Sequence, residues 1–357
     1  MTSLKDAKFE ETFKEPQYPW RKRNPATTFT NSIIVILPVT IFALGFFLTE
    51  IPGALLFILV FIPVQIVVAI FATIWGISRK QVGDAILSVL SLVAFSFVIA
   101  LMGSVLFSVF SRGLPAISIS FLSQNNTYIS PTTELGYGGV GHALIGTLMV
   151  VMIGMIISVP LGIASAIYIT DMKGRLAGFV RFMVQAMSGV PSIVAGLFIL
   201  AAFILTDISG FSAFTGGLAY SILMLPTVAR TSEEVLKLVP KDLRDAAIAL
   251  GSSRARVIMK IVLPTARTGI LTAVILGVAR VIGETAPLLL TTSNTNGTNL
   301  NPFVDAVATI PVYIFQFLGS GYPTAINRSW GAAFVLLSTV AILFAIARIV
   351  ERSTKKG

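Results

Sequence analysis

The chain has 357 residues, 55% of them apolar and only 12% charged, a balance that excludes an ordinary water-soluble domain. It has no cysteine and a single histidine, His142, so disulfides, thiol catalysis and cysteine-bound metals are excluded, and neither a metal centre nor another cofactor is expected. The net charge of +10 would suit nucleic acid, but the basic residues gather at the ends of apolar runs, as the positive-inside rule requires of a membrane protein, and no nucleic-acid partner is expected.

Taken in order, the chain predicts an all-α, polytopic membrane protein. Residues 1–30 are polar and charged and read as a cytoplasmic tail held inside by Arg21, Lys22 and Arg23, with no secretory signal expected. Ile33–Thr49 is the first span, Glu50 to Gly53 an external turn, and Ala54–Ile77 the return, with Arg79 and Lys80 marking the inner boundary. Ala85–Phe110 crosses outward, and 111–139 is polar and external. Val140–Thr170 crosses inward with a kink expected at Pro160, and Lys173, Arg175 and Arg181 follow on the inner side. Phe182–Leu205 crosses outward, interrupted by Gly189-Val190-Pro191-Ser192, and Phe214–Ala229 crosses inward; a basic stretch, 230–267, comes next. Gly269–Leu290 crosses outward, 291–327 is a long external loop without Lys or Arg, and Trp330–Ile349 returns to Arg352, Lys355 and Lys356. This gives about eight transmembrane helices with both termini cytoplasmic. Arg112 and Arg328 are the two cations on the outer side, each read as lying at a membrane edge.

The basic stretch contains the segment Leu243–Pro264, LRDAAIALGSSRARVIMKIVLP, which reads as two helices joined by a tight turn. Gly251 ends the first, because glycine adopts the left-handed C′ conformation without steric cost, and Ser252 or Ser253 caps the second. The small Ala246 and Ala247 would let another protein approach the backbone closely. The alternative is an ordinary solvated basic loop between two membrane helices.

The order of residues favours a docking element. Asp245-Ala246-Ala247, three residues, Gly251, nine residues, Ile261, one residue and Leu263-Pro264 resemble the EAA loop of ABC importer permeases, with Asp245 where the family has Glu. In that family the loop forms the coupling helix seated in a cleft of the ATPase. From about Asp84 onward the chain further resembles the PstA-type permeases of bacterial phosphate importers. The stretches that carry this are GVPSIVAGLF (Gly189 to Phe198), ILMLPTVARTSEEVLKLVP (Ile222 to Pro240) and ARVIGETAPLLLT (Ala279 to Thr291). The resemblance implies a six-helix type I ABC importer permease core over 84–352, with the coupling loop at 230–267, in a bacterial inner membrane. It also implies a PstC-type partner permease, two PstB-type ATPases and a PstS-type phosphate-binding protein. It leaves out the tail and the extra hairpin at 31–78. No Gly-Lys dipeptide occurs, so the chain carries no P-loop and is read as a translocation subunit rather than an enzyme.

Three charged residues are candidates for the substrate pathway. Arg280 and Glu284 are expected near the middle of a long apolar helix, four residues apart and therefore on one face. An arginine at that depth costs about 2.5–3.5 kcal/mol, so such a residue faces a bundle interior or a watery path. One reading is a self-neutralising intrahelical ion pair; the other is a site on an anion's path, which the resemblance supports. Arg230 is either a snorkelling boundary residue or a channel residue. Glu233 and Glu234 are expected to pair locally with Lys237 and Lys241, Gly189 and Pro191 to kink or open a helix, and His142 to lie at the interface. Other functions stay open: an ABC permease for molybdate or sulfate, a stand-alone ion-coupled carrier, or a membrane-embedded enzyme, for which no acid/base pair is visible.

Overall fold

The computed structural model describes residues 25–48, 53–76, 82–172 and 174–354. The basic residues Arg21, Lys22, Arg23, Arg79, Lys80, Lys173, Lys355 and Lys356 lie outside this range, as does most of the turn at Glu50. Among the described residues every regular element is helical. The chain separates into two compact units, Met1–Val105 and Leu106–Gly357.

The first unit holds α1 (Pro25–Leu48), α2 (53–76) and the opening part of α3 (Val82–Gly113). A π-helical turn, Phe57–Phe61, interrupts α2. Aromatic rings join the helices: Phe42 packs edge-on against Phe57 and Phe61 with centroids 6.1 and 5.8 Å away, and Phe57 lies 5.4 Å from Phe97. Ile36, Leu44, Phe47 and Leu59 stand exposed, as on helices apolar all round whose solvent is lipid.

The second unit is built around α4 (Gly141–Met172) and α7 (Ala213–Lys237). Between them come α5 (Ala177–Ser188) and α6 (Ser192–Ile204). After α7 follow α8 (Lys241–Ala249), α9 (Arg254–Val281), α10 (Ile310–Leu318) and α11 (Pro323–Thr354). A central core joins Val150 and Val151 of α4, Tyr220, Met224 and Val228 of α7, and Val281 at the end of α9. A second cluster gathers Phe121, Val140, Ile310, Tyr313 and Val335, and a third lies beneath α8.

Several expectations need correction. Among the described residues four helices are long and apolar enough to cross a membrane, or five if a bent pair forms one span, so the structure does not reproduce a count of eight. That bent pair is α5 and α6, which meet at 103° at the Gly189 to Ser192 stretch, where the sequence reading places an interruption. Pro191, with φ −60° and ψ 141°, is extended, and its ring disfavours a helical residue before it, so the helix ends and restarts at Ser192. At Pro160 the helix runs on without a break. The span expected at Gly269–Leu290 begins at Arg254 and ends at Val281, followed by a short helix, Ala286–Leu289.

Within the supposed external loop 291–327, Thr291, Thr292 and the run 307–313 are buried, while most of the other residues are exposed or half-buried. Internal pairing of several of its polar groups offsets part of the cost of their burial. Thr215 donates to the Thr291 carbonyl at 2.9 Å, and the Ile310 amide donates to Thr147 Oγ1 at 2.8 Å. Arg328 is fully buried, its Nη2 donating to the carbonyls of Glu134 and Tyr137 at 2.6 Å each. His142 is buried, edge-on to Tyr313 at 5.9 Å. Arg112 does sit at a helix end, over the Trp330 ring at 5.3 Å.

Close backbone approach fixes this folded segment. A Cβ on Gly146 of α4 would lie 2.0 Å from the Ala308 carbonyl oxygen, whereas one on Gly178 of α5 meets nothing within 4 Å. Gly146→Ala should therefore destabilise the protein by about 2 kcal/mol or more, because backbone must move, while Gly178→Ala should be neutral or stabilising. Thermal unfolding in detergent checks this; equal melting temperatures for the two variants would contradict it.

Candidate functional site

The basic stretch forms the expected elbow. The chain leaves α7 through Leu238 and Val239, and α8 starts after Pro240 with Asp242 in its first turn, where the helix dipole favours an anion. Gly251, at φ +85°, terminates α8 as a Schellman motif: its amide donates to the Ile248 carbonyl at 2.9 Å and the Ser252 amide to the Ala247 carbonyl at 3.1 Å. The cap of the next helix is Ser253, whose Oγ accepts from the Arg256 amide at 3.4 Å. A π-helical turn, Ile258–Val262, precedes Leu263 and Pro264. Proline has no amide to donate and its ring displaces the carbonyl four residues back, so the extra residue per turn absorbs it without breaking α9.

Elbow residues divide by what they face. Ala247 is buried with Val239, Val257 and Val262 of the same chain, and Ile261 packs against them. It therefore supports the elbow from within and is not open to a partner. Asp245, Ala246, Gly251 and Pro264 are exposed, and Leu263 is half-buried. Leu243, Ala246 and Leu250 recur at helical spacing on one exposed face, with Leu250 87% exposed. This apolar stripe on a charged segment is not singled out by the motif alone.

The expected pathway residues are placed differently from the sequence reading. Arg280 lies in the last turn of α9, exposed, and its Nη1 donates to Thr227 Oγ1 of α7 at 3.0 Å. Glu284 lies beyond the helix end, so the two do not share a helix face, and no ion pair joins them among the described residues. The Glu284 carbonyl oxygen accepts from the Tyr220 hydroxyl of α7 at 2.8 Å, which gives the ending helix a partner for a freed acceptor. Thr227 and Arg230 are three residues apart on α7, so the hydroxyl that holds Arg280 is one helical turn from Arg230.

Arg230 lines a cleft of about 200 Å³ with Arg181, Gln185, Glu233, Glu234 and Lys237. Glu233 is bridged by two cations, Lys237 Nζ at 2.7 Å and Arg181 Nη2 at 3.0 Å. The Glu233–Lys237 pair matches its local expectation, whereas Arg181 arrives from α5 across the chain, a contact that spacing in sequence could not reveal. Burial pushes the Glu233 carboxyl up, but the hydrogen bonds and charge of Lys237 and Arg181 outweigh it and hold it below its ordinary value. A lowered carboxyl contributes stability that is present above its unfolded value and lost as pH falls through the folded one. Wild-type protein should thus lose more thermal stability than Glu233→Gln as pH is lowered from neutral through the carboxylate range; parallel losses in the two proteins would contradict the assignment.

Comparison with known proteins places this geometry in context. The family described as "Binding-protein-dependent transport system inner membrane component" matches residues 158–356, which include α5 to α9, the elbow and both groups of cations. The "Phosphate transport system permease protein PstA 1" of Mycobacterium tuberculosis (strain CDC 1551 / Oshkosh) is 39% identical over 260 residues, 72% of this chain and 85% of that protein. The "Phosphate transport system permease protein PstA" of Yersinia pestis is 34% identical over 279 residues, 78% of this chain and 92% of that protein. The protein of the same description from Haemophilus influenzae is 36% identical over 241 residues, 67% of this chain and 83% of that protein. With the family's match running through more than half of its length and relatives of this likeness covered nearly end to end, the chain belongs to the binding-protein-dependent transport system inner membrane component family.

Proposed function

We propose that this chain is the membrane permease subunit of an ATP-driven importer that carries inorganic phosphate across a bacterial inner membrane. The observation that carries the reading is the extended similarity to phosphate transport permeases, which runs through the helices bearing Arg230 and Arg280. The elbow supports the ATP-driven part: Asp245, Ala246 and the exposed Leu243 and Leu250 face outward from a rigid turn, as a surface seated in another protein would. ATP hydrolysis belongs to a separate subunit, since the sequence carries no Gly-Lys dipeptide from which to build a P-loop. The partners in this reading are a PstC-type permease, two PstB-type ATPases and a PstS-type phosphate-binding protein. The elbow and both chain termini face the cytoplasm, and the extra N-terminal hairpin at 31–78 lies outside the six-helix permease core at 84–352.

Arg280 is the pathway residue in this account. A guanidinium offers a fork of donors matched to an oxyanion, and here it rests on a neutral hydroxyl, that of Thr227, rather than on a carboxylate. It thus keeps its full charge for a passing phosphate, while exposure to water keeps the attraction weak enough for release. Arg230, one turn away from Thr227, continues the positive track toward the cleft at Arg181 and Lys237. Glu284 sits half-buried at the helix break and would mark the far side of Arg280.

Substitution separates these roles. Arg280→Lys keeps the charge but loses the fork and should lower phosphate uptake several-fold; Arg280→Gln should lower it by about a hundredfold, the scale of a lost charged donor. Uptake into vesicles containing the assembled transporter is the measurement, and wild-type uptake by Arg280→Gln would remove Arg280 from the path.

A further inference from the structure

The elbow is fastened to the rest of its own chain by a side chain that lies outside the family motif. Arg244 of α8 points inward and its side chain is only 18% exposed. Its Nε lies 3.3 Å from Oδ1 of Asp171, and its Nη2 donates to the Leu236 carbonyl at 2.6 Å. Asp171 belongs to the π-helical turn that ends α4, and its side chain is 6% exposed. Leu236 is in the last turn of α7, among the carbonyls that a helix leaves without an intrahelical donor. One guanidinium therefore ties α8 to the ends of both helices at the centre of the unit.

Its surroundings distinguish this link from the other ion pairs. Arg181 and Lys237, which flank Glu233, are 52% and 55% exposed, so water competes for them. The three elements that Arg244 joins also pack together, since Ala166 of α4, Leu236 of α7 and Ala247 of α8 share one buried apolar cluster. Separating the pair would leave a carboxylate nearly without water, so the contact resists stretching. Thr170 Oγ1, 2.8 Å from Asp171 Oδ2, fixes the other carboxylate oxygen. At the other end of the load, α4 and α7 meet through glycines: a Cβ on Gly162 would lie 3.0 Å from Val228 Cγ1, and one on Gly217 2.5 Å from Ile153 Cγ2. Helices in such backbone contact move together.

We propose that Arg244 is a positioning residue for transport, the latch through which displacement of the elbow is passed to the ends of α4 and α7. The inference rests on the reading of the elbow as the surface that docks on the ATPase. A residue that only stabilised the fold would lower the amount of transporter, not the number of phosphate ions moved per ATP. The latch predicts a change in that ratio.

The test uses the complete transporter, with its partner permease, ATPase and binding protein, reconstituted in vesicles where ATP hydrolysis and phosphate uptake are measured in the same sample. Arg244→Ala should retain the ATPase and its hydrolysis but lower phosphate moved per ATP by about tenfold, and Asp171→Asn should lower it less, because the bond to the Leu236 carbonyl survives. Arg244→Lys should recover much of the ratio, since an ammonium can still reach the carboxylate. The double variant should be no worse than Arg244→Ala alone, as expected for two ends of one link. A wild-type ratio in Arg244→Ala overturns the latch. If that variant does not assemble, a wild-type ratio in Asp171→Asn overturns it instead. Failure of the ATPase to co-purify with the wild-type chain would refute the docking reading, and the latch with it.

Discussion

Close contact between the backbones of α4 and α7 is the constraint on which the rest of the structure depends. Within a bilayer the lipid tails are as apolar as leucine, so helices gain little by hiding apolar area from one another and associate instead where small residues allow tight packing. Gly154 and Gly162 on α4 and Gly217 on α7 supply that surface, each within reach of a side chain on the facing helix. The pair then serves as a frame. Tyr220 holds the carbonyl of Glu284 where α9 ends, Thr227 holds Arg280, and Leu236 accepts from Arg244 below. Polar contacts from three other segments thus converge on one helix whose own apolar side is fully buried.

The charges along α7 are managed in two ways, and the difference suits an anion path. Toward its end, Glu233 is shared by two cations, so charge is largely neutralised and the cleft is held together. Further up, Arg280 is matched among the described residues only with a hydroxyl, and Arg230 is exposed. A cation left without a carboxylate attracts a mobile anion; a cation with one does not. In the proposed function, phosphate meets the unmatched arginines first and the neutralised cleft afterwards, so binding weakens along its way inward.

Much of this was legible in the sequence where the signal is local. Gly251 announces a left-handed C′ residue, Ser253 a cap and the long apolar runs a membrane protein, because each follows from the chemistry of a few adjacent residues. What the sequence hid depends on neighbours from elsewhere in the chain. The apolar pattern continues from Val281 to Leu290, so it reads as one span, yet Gly283 and Pro287 weaken the helix and Tyr220 captures a carbonyl that it releases. That break separates Arg280 from Glu284 and removes the pair that spacing suggests. Likewise 291–327 looks like a solvated loop because it is rich in Thr and Asn, and only the folded chain brings in the distant partners: Thr215 for the Thr291 carbonyl and Thr147 for the Ile310 amide. Ala247 was read as part of a docking surface because the motif includes it, but the same small side chain is what lets α8 lie close on its own chain.

The central claim is that movement of phosphate by this chain is driven by ATP and depends on a separate binding protein. It is tested most directly by loading vesicles containing the assembled transporter with ATP and following labelled phosphate with and without the binding protein outside. The account predicts accumulation only when both are present, with no competition from sulfate or molybdate. Accumulation driven by a proton or sodium gradient without ATP, or equal uptake of the other oxyanions, would contradict it.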